Sequence, residues 1–80
     1  QAPMVTLQID GGKKNKLRPG DILGGLTSNP TINGNQIGKI KVQATSAFVA
    51  VEKTIAKQAL KTISEGKMKG RTFRVRKITR

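Results

Sequence analysis

Hydrophobic and polar positions alternate in four short segments of the chain and follow a helical period in two others. Strict alternation is typical of half-buried strands. Strands are therefore predicted over residues 5–9, 37–42, 47–51 and 71–78. Apolar residues at helical spacing predict one helix that begins at Pro19 and a second over residues 52–64. Residues 28–35 carry turn signals and are predicted to form a loop.

The order β-α-β-β-α-β predicts an α+β fold, the ferredoxin-like sandwich. Its four-stranded sheet is expected to be antiparallel, with the spatial order 4-1-3-2 and both helices on one face. The covered face is expected to bury these apolar strand residues: Val5, Leu7, Ile9, Ile40, Val42, Val49, Val51, Phe73 and Val75.

The first predicted helix supplies part of the same core. Ile22, Leu23 and Leu26 are expected to share one helical face. The adjacent Gly24 and Gly25 weaken the helix, and the preferred interpretation is close packing against the sheet.

The second predicted helix carries Lys53, Lys57 and Lys61 on its outer side, which is interpreted as a solvated surface. Gly66 follows this helix, where a C-cap glycine is expected.

The charge balance is the strongest functional signal in the composition. The chain has 16 Lys and Arg against 4 Asp and Glu, a net charge of +12. Such an excess favours polyanions, above all nucleic acid, because binding releases counterions. A membrane partner is disfavoured, since no helix pairs a basic face with bulky apolar anchors and no apolar run is long enough to span a bilayer.

The composition also limits the chemistry of this chain. Without His or Cys, imidazole or thiolate metal ligation and nucleophile–His pairs are impossible, and the acids are scattered along the sequence. No cofactor or metal is expected in this chain, and it is not expected to be an enzyme by itself. Residues 1–80 are expected to form one domain, and a first residue other than Met indicates a piece excised from a longer protein.

Two cationic loops bounded by glycines, residues 11–20 and 66–71, are the main candidate site. In the predicted topology, the loop after strand 1, the loop after helix 2 and the turn between strands 2 and 3 meet at one end of the sheet. The glycines are interpreted as allowing the loop backbone to approach a ligand. The residues predicted to bind RNA are Lys13, Lys14, Lys16, Arg18, Lys67, Lys69, Arg71, Arg74 and Arg76.

The open face of the sheet is predicted to be basic but poor in aromatic residues. The chain has no Tyr or Trp, and Phe48 is the candidate for stacking a base on this face. Two interpretations of Phe48 stay open: its ring is exposed for stacking, or neighbouring side chains cover it. Arg74 and Arg76 are expected on the same face, where they could contact phosphates.

Residues 9–24 (IDGGKKNKLRPGDILG) carry a specific resemblance to a known family. Together with residues 37–40 (IGKI), 48–51 (FVAV), 66–71 (GKMKGR) and 73–76 (FRVR), they resemble the C-terminal RNA-binding domain of DbpA-type bacterial DEAD-box RNA helicases. The resemblance covers nearly all of the chain. Residues 28–36 depart most from the family pattern.

This resemblance implies a fold like the RNA-recognition motif and a role as a tether. It implies binding of structured RNA, namely hairpin 92 of 23S ribosomal RNA, during assembly of the large ribosomal subunit. It also implies a helicase core in cis, which is missing from this chain and carries the ATP and Mg, and a cytoplasmic location. A monomer is expected.

Two other functions fit the basic composition. A protein-interaction domain would dock on an acidic protein surface, and a nonspecific adaptor would bind any RNA by charge alone.

Overall fold

The computed structural model describes residues 3–66 and 70–78. The helices and strands are β1 (Met4–Ile9), α1 (Pro19–Thr27), β2 (Ile37–Val42), β3 (Ala47–Glu52), α2 (Ala56–Glu65) and β4 (Val75–Ile78). The four strands form one antiparallel sheet in the order β2-β3-β1-β4. The predicted α+β fold and the 4-1-3-2 strand order are therefore confirmed. No helix within the described ranges has the length and apolarity needed to cross a bilayer.

Alternation along the strands directs one set of side chains to a single core. Leu7 of β1 lies opposite Val49 of β3, and Ile9 lies opposite Val75 of β4. Both helices contribute buried residues to the same cluster. The members that are at most 3% exposed are Leu7, Ile9, Leu17, Ile22, Leu26, Ile32, Ala47, Val49, Val51, Ala59 and Ile63.

The set of buried residues in α1 differs from the prediction. Ile22 and Leu26 are buried, but Leu23 is 40% exposed. At 100° per residue, Leu23 lies at the margin of the stripe that the other two define, so its side chain turns toward solvent. Gly24 is exposed, and a Cβ built on it would meet nothing within 4 Å. The close-packing interpretation is therefore wrong for Gly24.

The second helix begins later than predicted because the preceding residues belong to the sheet. Glu52 has an extended backbone and pairs with Met4 of β1. The amide of Lys53 then donates to the Pro3 carbonyl at 2.9 Å. These sheet bonds hold residue 52 in the strand, and a single 3-10 turn, Lys53–Ile55, links it to α2. Lys53 therefore lies before α2, although the sequence predicted it on the outer side of that helix with Lys57 and Lys61.

Strand β4 is also shorter than the predicted segment 71–78. The last ladder bond runs from the amide of Asp10 to the Arg74 carbonyl at 2.8 Å. Beyond Asp10 the first strand turns away into a loop, so residues 72–74 have no neighbouring strand with which to continue the ladder. Gly66 is the C-cap of α2, as predicted, with φ −84° and its amide donating to the Thr62 carbonyl at 2.9 Å.

Two core residues come from segments that were predicted to be loops. Leu17 is 2% exposed, although it lies within a cationic stretch, and Ile32 is 3% exposed within residues 28–35. Each anchors an irregular connection to the core and thereby fixes the path of the chain around it.

Candidate nucleic-acid interface

The loop between β1 and α1 is fastened to the turn between β2 and β3. The amide of Lys13 donates to the Gln43 carbonyl at 2.8 Å, and the amide of Lys14 donates to the Ala44 carbonyl at 2.9 Å. The turn is itself closed by the amide of Gln43, which donates to the Ser46 carbonyl at 2.8 Å. The backbone under both lysines therefore has a fixed position, while their side chains are exposed.

Gly11 and Gly12 make this attachment sterically feasible. A Cβ on Gly11 would overlap the ring of Phe73, and a Cβ on Gly12 would overlap the Gln43 carbonyl oxygen. Both glycines are buried. They pack against protein atoms on either side, which corrects the interpretation that these two glycines leave room for a ligand.

A short 3-10 helix, Lys13–Asn15, shapes the middle of the loop. The side-chain oxygen of Asn15 accepts a hydrogen bond from the amide of Gly12 at 3.0 Å, and so closes the turn from within. Lys16 follows in the left-handed conformation, with φ 60° and ψ 26°. This reversal sends the next residue, Leu17, into the core.

Arg18 marks the junction between the loop and α1. Its backbone is extended, and Pro19 takes the first helical position. The amide of Arg18 donates to a carboxylate oxygen of Asp21 at 3.0 Å. The carboxylate thus secures the start of the helix, where it also complements the helix dipole. The Arg18 side chain remains exposed.

Arg71 approaches this loop from the far end of the chain. It lines a cleft of about 330 Å³ together with Lys14, Asn15 and Lys16. A second cleft of about 350 Å³ is lined by Lys13, Lys16, Leu17 and Arg18. We call Lys13, Lys14, Lys16, Arg18 and Arg71 the basic loop edge; all five are exposed. The structure thereby brings five of the predicted cations together, while Lys67 and Lys69 lie outside the described residues.

The other two predicted arginines lie on the open face of the sheet. Arg74 and Arg76 are exposed and line a separate cleft with Gln8 and Asp10. A guanidinium nitrogen of Arg76 donates to the side-chain oxygen of Gln8 at 3.2 Å. They line neither cleft of the basic loop edge.

Phe48 is half-buried on the open face. It pairs with Gln8 on one side and with Lys41 on the other. Its ring lines a broad, shallow depression that also includes Met4, Thr6 and Ile78. The ring is therefore partly accessible.

Sequence reasoning missed two parts of this interface. Asn15 lines the cleft and holds the loop, and its position between three lysines in residues 13–16 gave no signal of that role. The turn from Gln43 to Ser46 was expected at this end, but its backbone bonds to the loop were not foreseen. The consecutive glycines were the available signal, since adjacent glycines often mark close contact between backbones.

Comparisons with known proteins show the family to which the sequence belongs. A family model described as the DbpA RNA binding domain matches residues 6–77. The chain is also similar to the ATP-dependent RNA helicase DbpA of Escherichia coli (strain K12), with 51% identity over 76 residues. That alignment covers 95% of this chain but only 17% of the helicase.

Proposed function

This chain belongs to the DbpA RNA-binding domain family, and we propose that it tethers a DEAD-box ATP-dependent RNA helicase to structured RNA through the basic loop edge. The proposed target is the hairpin 92 region of 23S ribosomal RNA during assembly of the large ribosomal subunit. The 80 residues match only the RNA-binding part of the E. coli relative, so the ATPase core is absent from this chain. ATP and Mg belong to that core, which we place in the same polypeptide, in the cytoplasm.

The observation that carries the proposal is the meeting of Lys14, Lys16 and Arg71 around one cleft. These cations come from opposite ends of the sequence, and the fold holds them at one place on the surface. Like charges gathered in this way repel one another, and RNA phosphates relieve the repulsion while releasing counterions. The fixed backbone beneath Lys14 lowers the entropy lost when its side chain binds.

Structured RNA fits this surface better than an extended single strand. Proteins that bind single strands without sequence preference stack successive bases on aromatic side chains. The chain has two Phe and no Tyr or Trp, and Phe73 is buried in the core. Phe48 therefore offers one stacking position. A hairpin or junction, in contrast, presents closely spaced phosphates that a compact group of cations can contact together.

The test compares two charge reversals of equal size. Lys14→Glu with Arg71→Glu alters the cleft of the basic loop edge, and Lys57→Glu with Lys61→Glu alters the outer side of α2 by the same total charge. The first pair is expected to weaken binding of a hairpin 92 fragment about 100-fold, since two charge-assisted contacts are lost. The second pair should weaken it by less than about fivefold through long-range charge alone. Equal losses would refute the basic loop edge as the RNA site.

The RNA target and the competing functions need a second comparison. Binding of the wild-type domain is measured at one salt concentration to the hairpin 92 fragment, to a hairpin of scrambled sequence, and to duplex DNA of equal length. Preference for the hairpin 92 fragment supports the proposed tether. Equal affinities for the three nucleic acids would identify a nonspecific adaptor. A domain that does not bind the hairpin but still retains a protein partner after nuclease treatment would be a protein-interaction domain. Sedimentation of the free domain tests the proposed monomer.

A further inference from the structure

Asn15 lies among the cations of the basic loop edge but carries no charge. It lines the cleft of about 330 Å³ together with Lys14, Lys16 and Arg71. We propose that Asn15 is a specificity-determining residue whose side-chain amide donates a hydrogen bond to a ribose 2′-hydroxyl oxygen of the bound RNA. The inference deepens the proposed function and rests on it, because it names the part of the RNA that this cleft contacts beside the phosphates.

Two hydrogen bonds to Gly12 hold the Asn15 side chain in one orientation. The Gly12 amide donates to Oδ1 of Asn15 at 3.0 Å, and the Asn15 backbone amide donates to the Gly12 carbonyl at 2.9 Å. Because a backbone amide needs an acceptor, the oxygen of the carboxamide must face Gly12 and its nitrogen must face away. Gly12 is itself buried against the turn between β2 and β3. The carboxamide is therefore attached to a fixed part of the loop.

The nitrogen of the same carboxamide is left for a ligand. Nδ2 of Asn15 carries two N–H donors and makes no hydrogen bond to any residue of the described ranges, 3–66 and 70–78. Asn15 is half-buried and lines the cleft. It thus offers a neutral donor at a fixed position, whereas each neighbouring lysine offers a positive charge on a flexible side chain.

A neutral donor beside three cations is better suited to the sugar than to the phosphate. Charged donors bind phosphate oxygens more strongly than a neutral amide does, so Lys14, Lys16 and Arg71 compete for the phosphates with advantage. In RNA, the ribose that carries a phosphate on its 3′ oxygen also carries the neighbouring 2′-hydroxyl. A phosphate held by these cations therefore brings a 2′-hydroxyl to the cleft, and its oxygen can accept from the Asn15 amide.

This contact would give the cleft a preference that its charges cannot supply. RNA and DNA present the same phosphate groups to lysine and arginine, and the 2′-hydroxyl is the group by which a protein tells them apart. A donor whose position is fixed before binding also loses little entropy when it binds. Asn15 is therefore expected to favour RNA over DNA at one nucleotide.

The test measures binding of the hairpin 92 fragment with one 2′-deoxynucleotide introduced at each position in turn. At one position, the wild-type domain is expected to bind about fivefold more weakly, which is typical of the loss of one neutral hydrogen bond. A 2′-fluoro nucleotide keeps the RNA-like conformation of the sugar but is a poor acceptor. At the same position it should weaken binding to a similar extent.

Asn15→Asp and Lys14→Ala are matched variants, since each lowers the net charge of the domain by one. Asn15→Asp keeps an oxygen for the Gly12 amide but replaces the donor with a second acceptor. It should bind every RNA more weakly, and the effect of the 2′-deoxy substitution should fall below about twofold. Lys14→Ala should also bind more weakly, but the effect of the substitution should stay at about fivefold.

A measurement on the wild-type domain tests the same contact without any substitution in the protein. The NMR signals of the Asn15 side-chain amide are expected to shift when the intact hairpin binds, because Nδ2 gains an acceptor. The shift should be different with the 2′-fluoro hairpin at saturating RNA. Signals that do not move in either complex would overturn the inference.

The outcomes separate this inference from the proposed function. If the hairpin binds through the basic loop edge but loses no affinity with a 2′-deoxynucleotide at any position, the role of Asn15 alone is refuted. An effect that persists in Asn15→Asp, or that disappears in Lys14→Ala as well, would do the same, since it would not come from the amide. Failure of the wild-type domain to bind the intact hairpin would overturn both proposals.

Discussion

Gly12 lies where the β1–α1 loop touches the β2–β3 turn, in space that no side chain could share. An added Cβ would overlap the Gln43 carbonyl oxygen and lie 2.9 Å from the amide nitrogen of Ser46. Both obstacles are backbone atoms, which cannot rotate out of the way as a side chain can. A substitution must therefore separate the loop from the turn.

Gly12→Ala is expected to destabilise the domain by about 1–3 kcal/mol, because it breaks the backbone bonds of Lys13 and Lys14 to the turn. Denaturant unfolding measures the loss, and faster hydrogen exchange at these two amides would locate it. Gly20→Ala is the matched control, since a Cβ there meets nothing within 4 Å. Equal unfolding midpoints for the two variants would contradict the steric account.

Lys16 holds a left-handed backbone conformation that a lysine adopts at a cost. Lys16→Gly removes that strain and also removes a cation from the basic loop edge. The unfolding free energy is expected to rise by up to about 1 kcal/mol while the RNA affinity falls. Thermal unfolding and RNA titration of the same variant test the two effects. Lys16→Asn, which also tolerates this conformation, should lose affinity similarly, and a loss of stability in both variants would argue against strain.

At the scale of the elements, α1 contains a glycine, Gly24, which disfavours helix formation and which the packing of the helix does not require. Gly24 is exposed in the middle of the helix with open space around it. Gly24→Ala is therefore expected to raise the unfolding free energy by about 0.5–1 kcal/mol. Chemical denaturation checks the value. Gly66→Ala should have the opposite sign, because its Cβ would lie 2.7 Å from the Thr62 carbonyl oxygen; stabilisation by both changes would contradict the packing described here.

The regular elements could be predicted because their periodicity reflects burial. Alternation in residues 5–9 and 47–51 marked the two central strands, and the apolar spacing within residues 52–64 indicated α2. Their ends could not be predicted in the same way. Glu52 remains in a strand because Met4 is there to pair with it, and that partner is remote in sequence.

The buried residues of the irregular segments could not be predicted from the sequence for a related reason. Leu17 and Ile32 are single apolar residues among polar neighbours, so no period marks them. Their burial depends on the path of the loop over the helices and sheet. That path follows from tertiary bonds such as the one between the amide of Lys13 and the Gln43 carbonyl.

At the scale of the whole molecule, the grouping of cations should appear in the salt dependence of RNA binding. Each phosphate contact contributes about 0.7–0.9 to the slope of log K against log salt. Lys14→Ala with Arg71→Ala is expected to reduce that slope by about 1.4–1.8. Titrations at several salt concentrations give the value. Lys57→Ala with Lys61→Ala has the same net charge and should leave the slope nearly unchanged; a similar decrease in both would mean that RNA contacts both surfaces.

Topology allowed much of the candidate site to be predicted, because the order of strands decides which loops meet. The meeting of Lys14 and Lys16 with Arg71 followed from the neighbouring positions of β1 and β4. The separate cleft around Asp10 did not follow. It depends on side chains that face each other across two strands, and an isolated acid in a basic sequence gives no indication of its neighbours.

The pairing of Thr6 with Ile78 has a mechanical consequence. The start of β1 and the end of β4 lie at the end of the sheet opposite the basic loop edge. A force that pulls Pro3 away from Ile78 would therefore break the hydrogen bonds between these two strands one at a time. Tension between the basic loop edge and Pro3 would instead run along β1 and strain its bonds to both neighbouring strands simultaneously. The domain is therefore expected to resist a force along β1 better than a force that separates Pro3 from Ile78.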